Sequence, residues 1–282
     1  MRKHKDEFAE ELTPEEIQGR LFSMLSAFAD YCDAHRIRYY LCSGTLLGAV
    51  RSHDLIPWDN DLDVLVPRPD YDRLLRSVPG NNLGGYTLFA FEKGNSFFPH
   101  AKLADTETLI PDPSLGVPHL WLDIFPMDGL PNPPFFSAVW LRVAQCLKRF
   151  PSWDALPWLL RRPTFGKQIG RLLFVPPVKL IGHLAGAGFW TRTVIRYALS
   201  FPFEESEFAG GVVSSSGPGE RMPKAQFLRA VEVPIRNRTF HAPACWERYL
   251  LQLIGSDWRI PPEETKRPPA QRVLLRRTAD GQ

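Results

Sequence analysis

The feature that most restricts the fold of this chain is a carboxylate ladder running into an apolar strand, Asp59-Asn60-Asp61-Leu62-Asp63-Val64-Leu65-Val66-Pro67. The uncharged run after Asp63 reads as a buried strand, and successive side chains in a strand point to opposite faces. Asp61 and Asp63 therefore project from one face, while Leu62, Val64 and Val66 enter the core. Two carboxylates a pleat apart repel, and one would take up a proton unless a cation lay beside them. A hard divalent ion with oxygen ligands keeps both ionised. The ladder imitates the start of a calcium loop, but that loop needs glycine at its sixth position and glutamate at its twelfth, where this chain has Val64 and Asp70. A solvated acidic turn is the plainer alternative. The upstream turn Ser43-Gly44-Thr45 favours a site instead, because glycine followed by a hydroxyl residue lets backbone N–H groups approach and hold a phosphate.

Length and composition set the frame for this stretch. The 282 residues suffice for one large core, with or without an insertion. The 27 prolines, about twice the usual share of about 5%, predict many short elements joined by fixed turns. A net charge of +3 is too slight to argue nucleic-acid binding. Cys32, Cys42, Cys146 and Cys245 show no C-x-x-C spacing, so reduced thiols and no zinc site are expected. The start M-R-K-H-K-D-E-F lacks the apolar core of a secretory peptide. The longest uncharged apolar run, Leu180 to Thr191, has 12 residues against the ~20 that span a bilayer.

S-G-T-L-L-G-A-V-R at 43–51 followed by I-P-W-D-N-D-L-D-V at 56–64 resembles the signature of the LicD and fukutin-related phosphotransferases, of the polymerase-beta-like nucleotidyltransferase superfamily. H-A-K-L-A-D-T-E-T-L at 100–109, W-L-D-I-F-P-M-D-G-L-P at 121–131 and T-F-H-A-P-A-C-W-E-R-Y-L-L-Q-L-I-G-S-D-W at 239–258 are similar to later stretches of that family. Asn60 departs from the aspartate common there in bacterial members. The resemblance covers most of the chain outside roughly 132–205. It implies a nucleotidyltransferase-like mixed α/β (α+β) sheet flanked by helices. It also implies Mg2+ or Mn2+ on Asp59, Asp61, Asp63 and Asp123, with Asp61, Asp63 and Asp123 as the catalytic set. Ser43, Gly44, Thr45, Arg51 and Lys102 would hold the phosphates.

In chain order, the capping box Thr13-Pro14-Glu15-Glu16 opens an amphipathic helix carrying Ile17, Leu21, Met24, Leu25, Phe28 and Cys32, ending near His35. Arg38–Cys42 reads as a strand and 45–51 as a short helix whose N-terminus faces the phosphates. Pro69–Ser77 reads as a helix, Tyr86–Phe91 and Phe98–Leu103 as strands. On the second, Lys102 is either a phosphate clamp or a solvated strand lysine. Leu120–Phe125 is an apolar strand broken only by Asp123, whose neighbours Trp121, Leu122, Ile124 and Phe125 offer no evident partner. A charge there needs a counter-ion or a metal. Asp128, in M-D-G-L-P, suits a tight turn. Strands are expected at Val231–Ile235 and Arg238–His241, a helix at Pro243–Ile254, and fraying from Pro261 onward.

The chain divides into a catalytic core at 1–128, a basic helical insertion at 129–203, the rest of the same domain at 204–266, and a flexible tail at 267–282. Ten Lys and Arg in the insertion face one acid, Asp154, for a net of +9. It is either a solvated insertion or a surface that docks on anionic membrane or lipid-linked glycan. The resemblance to the LicD and fukutin-related family implies transfer of a phospho-alcohol, phosphocholine first, from a CDP-linked donor (CDP-choline) to a glycan or lipid-linked oligosaccharide; nothing in the residues themselves reads a choline head group. No nucleic-acid partner is expected, and the protein would be cytoplasmic, free or peripheral at the membrane's inner face. A nucleotidyltransferase releasing pyrophosphate and a non-catalytic membrane-surface module are the rival readings.

Overall fold

The structure, a computed structural model, describes residues 8–112, 115–148, 187–267 and 272–276. Its first helix, α1 (Pro14–Ala34), starts as the sequence predicts: Thr13 Oγ1 accepts from the Glu16 N–H and the Glu16 carboxylate accepts from the Thr13 N–H. The spaced apolar residues of α1, from Ile17 to Cys32, are buried in the main core.

The chain adopts an α/β fold around a mixed sheet. Its centre is β8 (Leu120–Leu130), which pairs in parallel with β3 (Asp61–Pro67) and antiparallel with β6 (Ala101–Asp105). β2 (Tyr40–Leu41) pairs with β3, and β5 (Tyr86–Phe89) continues the sheet beyond β6 to β4 (Asn82–Leu83). The far end of β8 pairs with β9 (Phe208–Gly210), which carries β10 (Met222–Pro223). Leu62, Val64 and Val66 of β3 and Leu122 and Ile124 of β8 are at most 1% exposed, so one face of these strands is core, as alternation required. Two connections position the other face: α2 (Ser43–Ser52) enters β3, and α3 (Arg68–Ser77) leaves it.

A second, smaller apolar cluster lies under α4 (Pro134–Leu147) and the helix Ala187–Ala198: Leu130, Leu141, Ala144, Val194, Ala198, Val212 and Val213. Trp140 stacks on Tyr197 at 3.9 Å between ring centroids and ties the two helices. These are the described parts of the expected insertion. Arg149, Arg161, Arg162, Lys167, Arg171 and Lys179 lie outside the described residues. Among the described residues no helix is long and apolar enough to cross a membrane.

Several expectations are corrected. Asp128 is not in a tight turn but inside β8, 1% exposed, its Oδ1 accepting from Arg68 Nε at 2.6 Å. The Asp-Gly-x-Pro pattern suggested a turn, whereas the strand continues through it and Arg68 supplies the buried carboxylate with a counter-charge that offsets part of the cost of burial. The strand expected at 98–103 runs 101–105, and the helix expected from Pro243 is Trp246–Leu253, because Pro243 closes β12 (Arg238–Pro243) against β11 (Ala230–Ile235). The tail is not wholly frayed. Leu274–Arg276 forms β13, between β1 (Phe8–Glu11) and β7 (Thr108–Leu109).

Candidate active site

Strand register builds the site. Lys102 of β6 is opposite Asp123 of β8, and Asp123 is opposite Asp63 of β3, so one row across three strands carries a cation and two carboxylates. Neighbouring strands lie about 4.8 Å apart, which keeps the members of such a row within contact. The next row on the same face holds Ala104, Trp121 and Asp61. Oxygens of Asp61, Asp63 and Asp123 consequently come within 4.8 Å of one another. Three carboxylates at this spacing are the donor chemistry that hard divalent cations take.

The electrostatics of the three differ. Asp63 lies well above the carboxylate range because burial desolvates it and Asp61, Asp123 and Asp59 repel its charge. Burial, then the Asp59 charge, pushes Asp61 up to about 7. Burial also acts against ionised Asp123, but the charges and hydrogen bonds of His100 and Lys102 outweigh it and hold that carboxyl at about 2. Asp123 Oδ1 receives Lys102 Nζ at 2.6 Å and His100 Nε2 at 2.8 Å, and Oδ2 accepts from Trp121 Nε1 at 2.9 Å. The expectation that Asp123 lacks a partner is thus overturned. Two partners come from a neighbouring strand and its approach, and the third, Trp121, reaches back two residues on the same face.

The remaining expected residues fall into place unevenly. Thr45 Oγ1 accepts from the Asp63 N–H at 2.8 Å, so this hydroxyl pins the carboxylate strand to α2. Gly44 lies against Asp59: a Cβ there would stand 2.5 Å from Asp59 Oδ2. Asp59 hydrogen-bonds to Asp61 and stays outside the close trio; burial raises its carboxyl too. Ser43 opens α2 at φ +46°, a left-handed conformation that costs a non-glycine residue on the order of 1 kcal/mol, and is hydrogen-bonded to Tyr249. Lys102 is occupied by Asp123 and packs its ammonium 4.5 Å from the centre of the Trp121 ring. Arg51 is in the last turn of α2. At 1.5 Å rise per residue its backbone stands roughly 10 Å along the helix axis from Gly44.

Two cavities open at this face. The larger, about 620 Å3, is lined by Phe89, Phe98, His100 and Phe125 among others. His100 Nδ1 is buried there without a hydrogen-bond partner. The smaller, about 170 Å3, is bounded by Ser43, Asp63, Phe125, Tyr249 and Glu220. Phe125 and Ser214 border both. His100, Trp121, Glu220 and Tyr249 are site residues that the sequence reading did not single out. His100 could have been found by counting two positions back from Lys102, whereas Glu220 carries no local signal.

The site thus belongs to an α/β domain whose central strands present an acidic trio beside two cavities. Residues 36–167 match the family described as LicD/FKTN/FKRP, nucleotidyltransferase domain. This match is to the same family that the motifs at 43–64 and 100–131 resemble. Over 270 residues, 91% of the chain, it is 27% identical to the lipopolysaccharide cholinephosphotransferase LicD of Haemophilus influenzae, of which 96% is covered. It is also 35% identical over 68 residues to an uncharacterized protein of Rickettsia prowazekii, covering 24% of this chain and 26% of that one. A second uncharacterized protein, from Rickettsia typhi, is 32% identical over 68 residues, 24% of this chain and 22% of that one.

Proposed function

We propose that this transferase moves phosphocholine from CDP-choline to a hydroxyl of lipopolysaccharide or a related surface glycan, with Mg2+ or Mn2+ held by Asp61, Asp63 and Asp123. The observation that carries the reading is the row Lys102–Asp123–Asp63 with Asp61 beside it, three carboxylate oxygens within 4.8 Å. The extensive match to the Haemophilus influenzae enzyme supports the substrate class.

When bound, the metal would neutralise diphosphate charge and polarise the phosphorus under attack. The chain's own residues supply the rest. Asp61 and Asp63 hold their negative charge at a cost that a cation relieves, so binding is driven by the repulsion between them. Asp123, held at about 2, is a poor base. Its role is a fixed anion, and the acceptor's proton passes to the Asp61 and Asp63 side. Lys102 keeps ammonium hydrogens beyond its Asp123 bond and can meet a phosphate oxygen. The acceptor oxygen forms a bond to the choline-bearing phosphorus as the bond between that phosphorus and the bridging oxygen breaks, and CMP leaves with the bridging oxygen. The 620 Å3 cavity has room for the nucleotide or the sugar.

The test supplies CDP-choline with a lipopolysaccharide acceptor, and CTP in a parallel reaction. CMP release from CDP-choline, matched by choline-labelled glycan and stopped by EDTA, is expected. Pyrophosphate from CTP, without CMP from CDP-choline, would replace this reading by a nucleotidyltransferase. A membrane contact through the basic segment 129–203 belongs to the same proposal, because the acceptor would be lipid-borne.

A further inference from the structure

Glu220 sits in the short turn Pro218–Glu220, nearly a hundred residues after the last carboxylate of the trio, yet it reaches the same site. It is 4% exposed. Its Oε1 accepts the Ser216 N–H at 3.4 Å, and the Gly211 amide also bonds it. Lys148 acts on it from a distance while donating to the Ser214 carbonyl at 2.7 Å. Phe125, Tyr249 and Asp63 of the trio line the same cavity, with Ser43, Ser214 and Ser216 adding polar groups. At about 170 Å3 this space falls below the roughly 300–1,000 Å3 of ordinary small-molecule pockets, so it is too small for a nucleotide and suits a small group.

We infer that this cavity receives the cationic head group of the donor, with the Glu220 carboxylate as counter-ion and Phe125 and Tyr249 as the aromatic walls of a quaternary-ammonium site. The assignment rests on the phosphocholine reading above. Three properties converge. Asp63 lines both the trio and this cavity, so a phosphate at the trio would lie beside it, and two carbons separate that phosphate from the nitrogen of choline. Aromatic faces with an acid are the surroundings in which a quaternary ammonium is held without hydrogen bonds. Burial pushes the Glu220 carboxyl up to about 7, against the pull of the Ser216 amide, Lys148 and the Gly211 amide, so an added cation beside it relieves a charge that the fold only partly compensates.

The experiment compares CDP-choline with its neutral isostere, in which carbon replaces the quaternary nitrogen (the cytidine diphosphate ester of 3,3-dimethylbutanol), reading CMP release in the presence of acceptor. The wild-type protein should prefer the cationic donor by at least about tenfold in kcat/KM, on the scale of one aromatic or carboxylate contact to a desolvated cation. Glu220→Gln should bring that ratio toward one. Should Glu220→Gln fail to fold, Phe125→Leu, which removes an aromatic wall at similar volume, should reduce the same ratio. If the wild type shows no preference, or if Glu220→Gln slows both donors equally with the ratio intact, as for a proton-transfer residue, the head-group assignment is wrong while the transferase reading stands. If the wild type releases no CMP from either donor, both fall together.

Discussion

Replacing one carboxylate of the trio separates charge from shape. Asp63→Asn keeps the size of the side chain and relieves repulsion from Asp61 and Asp123, so the metal-free protein should melt no lower than wild type while turnover falls on the order of a thousandfold or more. Activity and melting temperature measured on one preparation decide it, and an active variant would remove Asp63 from the metal set. Asp123→Ala differs, because it strands Lys102, 8% exposed at its side chain, without its ion partner. Breaking such a buried pair costs about 3 kcal/mol, so this variant should lose stability as well as activity. Acidity gives a third expectation. Asp61 has a folded value of about 7 against about 4 unfolded, so its contribution is fully present below about 4 and is lost as pH rises through 7. His100 is depressed by burial and has the opposite sign, losing stability as pH falls below its ordinary value near 6.5. Comparing melting with Mg2+ against melting with EDTA largely cancels the histidine. The difference between the two should grow from pH 5 to pH 8, and a difference independent of pH would mean that the cation binds elsewhere.

Between residues and molecule stand α2 and β3, held together by two glycines of different kinds. A Cβ on Gly44 would meet a side-chain oxygen of Asp59, whereas a Cβ on Gly48 would stand 2.6 Å from the backbone oxygen of Asp54. Side chains yield and backbone does not. Gly48→Ala should therefore lower stability by about 1–3 kcal/mol, while Gly44→Ala should move Asp59 and cost more in turnover than in melting temperature. The same distinction between local and distant explains what could be read in advance. Helix α1, helix α3, β3 and the shared face of Asp61 and Asp63 follow from capping and period-two alternation within a few residues, so they were legible. That Lys102 and His100 neutralise Asp123 depends on the register between β6 and β8, and Glu220 arrives from a turn far along the chain. Neither has a spacing that a single sequence displays. Asp128 was misread because Gly129 and Pro131 imitate a turn, although its partner Arg68 lies 60 residues away.

For the molecule as a whole, the described ends of the basic segment carry an apolar face. Phe135 and Phe136 on α4 are 72% and 61% exposed, and Val139 and Val143 extend the same helix surface. The sequence cluster Arg161, Arg162, Lys167 and Arg171 lies outside the described residues; under the membrane contact proposed above, each of its cations would contribute on the order of 1 kcal/mol at an anionic lipid surface, with salt screening the attraction. Changing those four to glutamine should release the protein from anionic liposomes at moderate salt while transfer to a soluble acceptor continues; sedimentation reads the outcome, and equal binding at every salt concentration would leave the segment a solvated insertion. The three-stranded sheet β1–β13–β7 imposes an order in time. Residues 8–11 pair directly with 274–276, so the first strand cannot close until the last has been made. At roughly 5–20 residues per second the ribosome takes on the order of tens of seconds between the two, during which Phe8–Glu11 is an open strand edge in search of a partner. Closing so long a loop is among the slower folding steps, and the wait exposes the nascent chain to the pairing errors that unpaired edges invite.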